Sequence, residues 1–571
     1  MHADHIPQKE WRWALAWAGV MLAMSCLPYL IAWIATPPGY QFGGILVNPF
    51  DGNSYLAKMR QGWAGSWQFH LTYTPEPHDG APIIYFFYLG LGHVARWTGL
   101  PLILAYHAAR LLGGLALLTT TFVFLARLTG DRRERWLAFW LVGTSAGLGW
   151  LGAAFGAYPI DLWVPEAFAF FSLLTNPHFP LGIALMLVIV AGVIWPARSL
   201  WQGLSQSSDE PGAIPPEGSD PRLGIAGQSP PVGWHLKSGI HPVWRWLVPG
   251  LAALGLVLVH PLGLIPVYVT LALYVILRRW IDRVWPMPEL LAVAASVLFS
   301  APALLYGYWI YVTNPAMAGW AAQNLTPAPR VLDLVLGYGL VGLLAIPGGV
   351  IALRKRDRGG LALLAWSMGT LILVYLPLAL QRRLLTGLGV PLSVLAGIGL
   401  NRWLLSRLTA GRARLMAAAT VGFSLLGNLF LLLVLSLGAL KTDRQADLFG
   451  RLYLTQDEAS AMQWLLAHAQ DEVVLASPRT GMWLPGQAGV RVFAGHPFET
   501  INAQIKQAQA EAFFRGELSG DEWRELQARY HIRYVFVGPK ERALGDGAYL
   551  SEMEPAFRVG EVTIYRSRTG L

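Results

Sequence analysis

The chain has 571 residues, 54% of them hydrophobic and only 13% charged, with 25 Trp, 61 Gly and 38 Pro. Soluble proteins carry about 25% charge, so a soluble enzyme is excluded and a membrane-embedded chain is expected, in which Gly and Pro are tolerated within helices. The net charge of +9 does not indicate nucleic-acid binding: the basic residues fall in short clusters between apolar segments, where insertion topology and lipid head groups account for them.

In chain order, Lys9 and Arg12 precede an apolar run to about residue 35 that lacks a small-residue cleavage site, which predicts a retained signal anchor. Its lone Cys26 precludes an intrachain disulfide. A span needs about 20 apolar residues. Eleven are predicted, near residues 11–35, 101–126, 136–156, 167–196, 245–260, 262–279, 287–312, 332–353, 360–380, 384–401 and 415–438. With the N-terminus cytoplasmic, RLTGDRRER (127–135), the stretch 197–244, RRWIDR (278–283), RKRDR (354–358) and NRWLLSRLTAGRAR (401–414) all fall inside, as the charge rule requires. Residues 81–100 are apolar but include His93 and Arg96, and a crossing there would expel RLTGDRRER. An amphipathic or re-entrant helix at the outer interface is expected instead. Residues 245–279 read as two spans or, through VLVHPLGLIP, as one kinked helix.

Residues 201–243, rich in Pro, Gly and Ser, read as a flexible cytoplasmic loop. Residues 441–571 alternate helix patterns (459–469, 498–516, 519–530) with β-like runs (472–477, 490–495, 533–538, 562–567), an α/β domain placed outside by the same parity. The expected fold class is therefore a polytopic α-helical membrane protein of about eleven spans, residues 1–440, followed by a soluble α/β domain, residues 441–571. Residues 36–100 form its first outer loop, with juxtamembrane helices.

Polar residues sort to the outer face. NPFDGNSYLAK (48–58) supplies Asp51, Tyr55 and Lys58, and Arg60, Glu76, His78 and Asp79 follow. AYPIDLWVPE (157–166) adds Asp161 and Glu166, and TNPHFP adds Asn176 and His178. Arg382 and Arg383 lie on this side too, against the charge rule. Two explanations stand: ion pairing with Asp51, Asp161 or Glu166, or recognition of phosphate by the planar guanidinium fork. Asp51 itself fits a helix N-cap as well as a reacting carboxylate. His78 and His178 fit local hydrogen bonding better than metal ligation, because no clustered Cys/His spacing exists. Asn324-Leu325-Thr326 matches a glycosylation acceptor triplet.

This arrangement resembles the GT-C superfamily of membrane glycosyltransferases, and within it the dolichyl-phosphate-mannose and aminoarabinose transferase-like group. FDGNSYLAKM places Asp51 and Tyr55 as the acid and tyrosine of the first outer loop. HDGAPIIYFFYLGLGHVARWTGLPLILAYHAARLLGGLALL (78–118) then follows the family's order, with Pro82, Tyr85, Gly99 and Arg110 in comparable places, and an outer Arg recurs in QRRLLTGLGVPLSVLAGIGL. The chain departs from the pattern at Gly52, where a second acid is usual, and at Ala81-Pro82-Ile83, where a P-P-L element is usual.

The resemblance implies an inverting sugar transfer from a polyprenyl-phosphate or -diphosphate carrier to a glycan, lipid or protein acceptor on the outer membrane face. Membrane lipids, and no nucleic acid, would be its other partners. It implies Asp51 as general base, and Arg382 and Arg383, with Lys58 or Arg60, on the carrier phosphate. It further implies Asp161 or Glu166 orienting the acceptor or holding a divalent cation, Tyr55, His78 and His178 lining the substrate site, and the C-terminal domain, with HPFET (496–500) as its polar cluster, covering the cleft or selecting the acceptor. The alternatives are a non-catalytic envelope assembly protein and a lipid or polysaccharide transporter. A transporter would be expected to show internal repeats and mid-membrane charge.

Overall fold

The structure, a computed structural model, describes residues 6–195, 244–441, 447–545, 547 and 549–567; the loop expected at 201–243 lies outside the described residues. The chain opens with α1 (Gln8–Ile34), strand β1 (Tyr40–Phe42), α2 (Pro49–Ala64), the ribbon β2 (Gln68–Phe69) and β3 (Ala81–Pro82), and α3 (Phe86–Thr98). The bundle continues with α4 (Leu102–Leu128), α5 (Arg132–Thr144), α6 (Gly149–Gly152), α7 (Ala169–Leu174), α8 (His178–Ile194), α9 (Trp244–Val259) and α10 (Leu264–Asp282). It closes with α11 (Met287–Thr313), α12 (Pro315–Gln323), α13 (Val331–Lys355), α14 (Arg358–Leu373), α15 (Gly389–Gly399) and α16 (Ala410–Leu440).

Among the described residues seven helical segments are long and apolar enough to cross a membrane: α1, α4, α5 continued through α6, α10, α11, α13 and α16. The shorter apolar helices α8, α9 and α14, and the wholly buried α15, occupy the other predicted spans. The chain is thus a multi-pass membrane protein. Small residues let its helices touch: a Cβ on Gly348 of α13 would sit 1.8 Å from the Leu395 carbonyl of α15, and one on Gly399 2.2 Å from the Leu344 carbonyl.

Charged groups mark the two ends of the bundle. At one end Glu10 meets Arg132 and Arg135 at 3.4 and 3.5 Å, Arg402 Nη2 donates to Glu134 at 2.7 Å, and Arg358 lies 3.5 Å from Glu289. These are the basic clusters that the charge rule gathered on one side. The turn at His260-Pro261 is resolved by the same markers. Pro249 abuts Gly192 near the end of α8, and the His260 ring lies 5.2 Å from His178 at its start, so α9 runs antiparallel to α8. After α10 only residues 283–286 intervene before α11, whose Glu289 sits back at the basic end. Residues 245–279 are therefore two helices folded back at His260, not one kinked helix.

Helix α3 has 13 residues, about 20 Å, too short to span. It packs backbone to backbone on α2: a Cβ on Gly62 would lie 2.0 Å from the Leu89 carbonyl, and one on Gly92 2.0 Å from the Met59 carbonyl. The two helices form a platform at the end of the bundle opposite the basic clusters.

Beyond α16, β4 (Tyr453–Thr455) pairs antiparallel with β1, tying the C-terminal region to the first inter-helical segment. A mixed five-stranded sheet follows, in the order β6-β5-β7-β9-β8 (Arg491–Val492, Val473–Leu475, Ile532–Val537, Val562–Arg566, Glu554–Val559). Four strands coincide with the predicted β-like runs. The fifth, EPAFRV, is largely exposed and has no apolar alternation to reveal it. Helices Gln456–His468 and Gly520–Tyr530 each start on a capping box, Thr455 with Glu458 and Ser519 with Glu522. The helix predicted from residue 498 begins at Ala503 instead, because His496 to Asn502 turn against α2.

Candidate active site

The site is built on the first turn of α2. Asn48 adopts a left-handed conformation (φ 46°) and Pro49 occupies the first helical position, so Asp51 is the third residue of the helix rather than its cap. The positive end of the helix favours its carboxylate there. Asp51 Oδ2 accepts a hydrogen bond from Asn48 Nδ2 at 2.6 Å, and the side chain is 33% exposed.

Asp51 faces a cavity of about 700 Å³ that is also lined by Tyr55, Glu166, His178, Arg382 and Arg383. Six sequence-predicted residues, from four separate parts of the chain, meet there. One wall is apolar, formed by Val257, Leu258 and Val259 of α9 and Ala303, Leu304 and Gly307 of α11. At the other, Tyr55 stacks on Tyr88 at 4.3 Å, and the Tyr88 hydroxyl lies 2.6 Å from His178 Nδ1.

Arg382 and Arg383 arrive on the 3-10 turn Gln381–Leu385, which is fixed by the Arg382 backbone N–H donating to the Thr326 carbonyl at 3.1 Å and by Gln381 Nε2 donating to the Leu376 carbonyl at 2.7 Å. The Arg382 guanidinium lies 5.2 Å over the Trp163 ring, and its buried Nε has no hydrogen-bond partner. Among the described residues neither guanidinium is within 4 Å of a carboxylate. Ion pairing, one of the two explanations for the pair, is thus not realised by contact, although both arginines act electrostatically on Glu166. Burial pushes the Glu166 carboxyl up, and Arg382 and Arg383 offset only part of that. Asp51 shows the reverse balance. Burial pushes it up, but His496, then Arg383 and Lys58, outweigh this and hold it below the usual carboxylate range, so it is ionised at neutral pH.

The other four predicted residues are not brought into the cavity. Lys58 is 1% exposed and forms a 2.8 Å ion pair with Glu499, because its side chain leaves α2 toward the C-terminal region. Arg60 Nε donates to the Gly486 carbonyl at 3.2 Å and its guanidinium covers Trp63. His78 Nε2 accepts the Leu71 N–H at 2.8 Å within its own loop. Asp161 Oδ2 accepts the Gly147 and Gly149 N–H groups at 2.9 and 3.0 Å, stapling the break between α5 and α6; its burial pushes the carboxyl up to about 6.

His496 is the participant that sequence reasoning did not single out by itself. It is 2% exposed, and its Nδ1 accepts the backbone N–H groups of Phe498 (3.1 Å) and Glu499 (3.0 Å). Its Nε2 faces Asp51 Oδ1 at 3.6 Å and has no hydrogen-bond partner. The available signal was the polar run HPFET, read as the polar cluster of the C-terminal domain without a role for any one of its residues. Glu499 of the same run accepts from Ser54 Oγ at 2.5 Å as well as from Lys58. A divalent cation finds no fitting donor set: among the described residues no three His, Cys, Asp or Glu side chains converge, and the cavity carboxylates are matched by two guanidinium groups.

No family model matches the chain, and no curated protein matches it in sequence. Solved structures do match. ArnT from Cupriavidus metallidurans, determined with undecaprenyl phosphate bound, superposes with a TM-score of 0.52 at 13% identity, covering 96% of this chain and 98% of that one. Arabinofuranosyltransferase AftD from Mycobacteria gives 0.52 at 13% identity over 99% of this chain and 40% of its own. The oligosaccharyltransferase AglB from Archaeoglobus fulgidus gives 0.47 at 13% identity over 91% and 69%. The helical bundle, its platform of short helices and the appended sheet thus share an overall fold with ArnT and with the part of AftD that the match covers.

Proposed function

We propose that the protein is a membrane glycosyltransferase that moves a sugar from a polyprenyl-phosphate carrier to an acceptor at the outer membrane face. The observation that carries this reading is the presence in one cavity with an apolar wall of Asp51 and two guanidinium groups that, among the described residues, have no carboxylate within 4 Å, at the end of the bundle away from the basic clusters. By the charge rule that end is non-cytoplasmic. The isoprenoid tail lies against α9 and α11, and the carrier phosphate against Arg382 and Arg383.

The acceptor oxygen attacks the anomeric carbon as the bond from that carbon to the phosphate oxygen breaks. The bonding pair leaves on the phosphate, which goes from a diester to a monoester and gains negative charge. Arg382 and Arg383 meet that charge as it develops, where stabilisation lowers the barrier most. Asp51 takes the acceptor proton. A base on the face opposite the leaving group gives inversion. ArnT, which shares the fold, was determined with undecaprenyl phosphate, and this supports a lipid-phosphate donor. The test is transfer or hydrolysis of undecaprenyl-phosphate-linked hexoses and pentoses by the full-length chain in liposomes. Asp51→Asn is expected to lose about 10²- to 10⁴-fold in rate with folding intact. Undiminished turnover in that variant would remove Asp51 as the base.

A further inference from the structure

The polar turn that the C-terminal sheet region lays against α2 has a consequence beyond docking. Among the described residues, His496 presents one nitrogen to its own backbone and the other to the acid of the membrane domain, 445 residues earlier in the chain. Because two N–H groups donate to Nδ1, that nitrogen carries no proton, and the neutral ring must carry its proton on Nε2. The ring is fixed by packing edge-on to Phe50 at 5.9 Å and near Tyr73 at 5.4 Å. Thr500 Oγ1 fixes the turn further, accepting the His496 N–H at 3.2 Å and donating to the Tyr73 carbonyl at 2.8 Å. Leaving a buried donor without an acceptor is unfavourable, and this one faces Asp51 Oδ1 at 3.6 Å.

Resting on the functional reading above, we infer that His496 is a positioning residue: its Nε2–H closes onto Asp51 Oδ1, aims the second carboxylate oxygen at the acceptor, and makes the base depend on a docked C-terminal region. Hydrogen bonds of this kind are often long in a resting site and shorten when substrate is bound. Around Asp51, Tyr55 and Lys58 come from its own helix, Arg383 from the turn at residues 381–385, Glu166 from the segment before α7, and His496 from the C-terminal region. Only His496 combines a buried, unpartnered donor with a fixed tautomer.

The test reads Asp51 in the resting, full-length protein without any donor substrate. Dicyclohexylcarbodiimide labels protonated carboxyl groups, and mass spectrometry of the Asp51 peptide gives the pH at which labelling begins. His496→Asn keeps an acceptor for the Phe498 and Glu499 N–H groups but is too short to reach Asp51. It is expected to move labelling upward by about one pH unit and to lower kcat about 10- to 100-fold with the KM for an undecaprenyl-phosphate-linked sugar unchanged. His496→Gln, which restores reach, is expected to recover part of both. Wild-type labelling in His496→Asn overturns the inference. So does a shift seen in His496→Leu but not in His496→Asn, which would make the intact turn sufficient. Retained transfer in Asp51→Asn would instead remove the functional reading and leave the labelling result standing.

Discussion

Arg382 and Arg383 were legible because they break a rule: two adjacent positive charges that the span count sets apart from the other basic clusters. Their state was not legible, since the lack of a carboxylate within 4 Å depends on packing across some 330 residues of chain. Under the proposed function, these two guanidinium groups, with no carboxylate within 4 Å among the described residues, receive the carrier phosphate. Arg382→Ala and Arg383→Ala should each weaken binding of undecaprenyl phosphate to the purified protein about 10- to 100-fold, the range of a lost charged hydrogen bond. A lysine at either position should restore only part, because it cannot form the planar two-point contact. Equal binding by the alanine variants, measured by microscale thermophoresis, would remove the pair from the site. The pH dependence follows from Asp51. Its folded value lies below the usual carboxylate value of 3.8, so the carboxylate stays ionised above that pH and is protonated only as pH falls through the lowered folded value. An acid limb of kcat near neutral pH would contradict this.

Helix α2 presents two faces with different duties. Asp51 and Tyr55 turn to the cavity, whereas Ser54 and Lys58 turn to Glu499 of the C-terminal region. The sequence showed a helix there with a Lys in it, and reading Lys58 as a phosphate ligand was the natural inference. Its real partner lies 441 residues later and carries no local signature. Removing one half of a buried pair leaves an uncompensated charge, so Lys58→Met should destabilise the docked C-terminal region by about 3–5 kcal/mol. Lys58→Met with Glu499→Gln should recover much of that, as read by limited proteolysis between residues 441 and 453 and by thermal unfolding. Burial pushes the Glu499 carboxyl up, but Lys58, His496 and Ser54 outweigh it, so its folded value is depressed. The stability it contributes is therefore present above the usual glutamate value of 4.5 and is lost as pH falls through the folded value. Docking that weakens instead between pH 6 and 8 would point to a different anchor.

Across the whole molecule, apolar length and the placement of Lys and Arg were enough to lay out eleven helical segments, because a bilayer leaves few alternatives to a helix of fixed length. The same logic identified α3 as a helix that does not cross. Left open by sequence was the turn at His260, where one Pro serves a kink as well as a fold-back, and only the contacts to His178, Gly192 and Glu289 decide. Also hidden was how β1 and the turn at His496 fasten the C-terminal region to the first inter-helical segment and to α2, since strand pairing and turn docking at this separation have no periodic signal. The proposed function requires Asp51, Arg382 and Arg383 to serve one lipid-borne phosphate in the cavity they line. Electron cryomicroscopy of the full-length protein in nanodiscs with undecaprenyl phosphate tests it most directly. The expected result is the phosphate in hydrogen-bond contact with Arg382 and Arg383, its isoprenoid chain along α9 and α11, and Asp51 open to the cavity. A phosphate seated at the basic-cluster end, or guanidinium groups closed onto Glu166 with the lipid elsewhere, would contradict it.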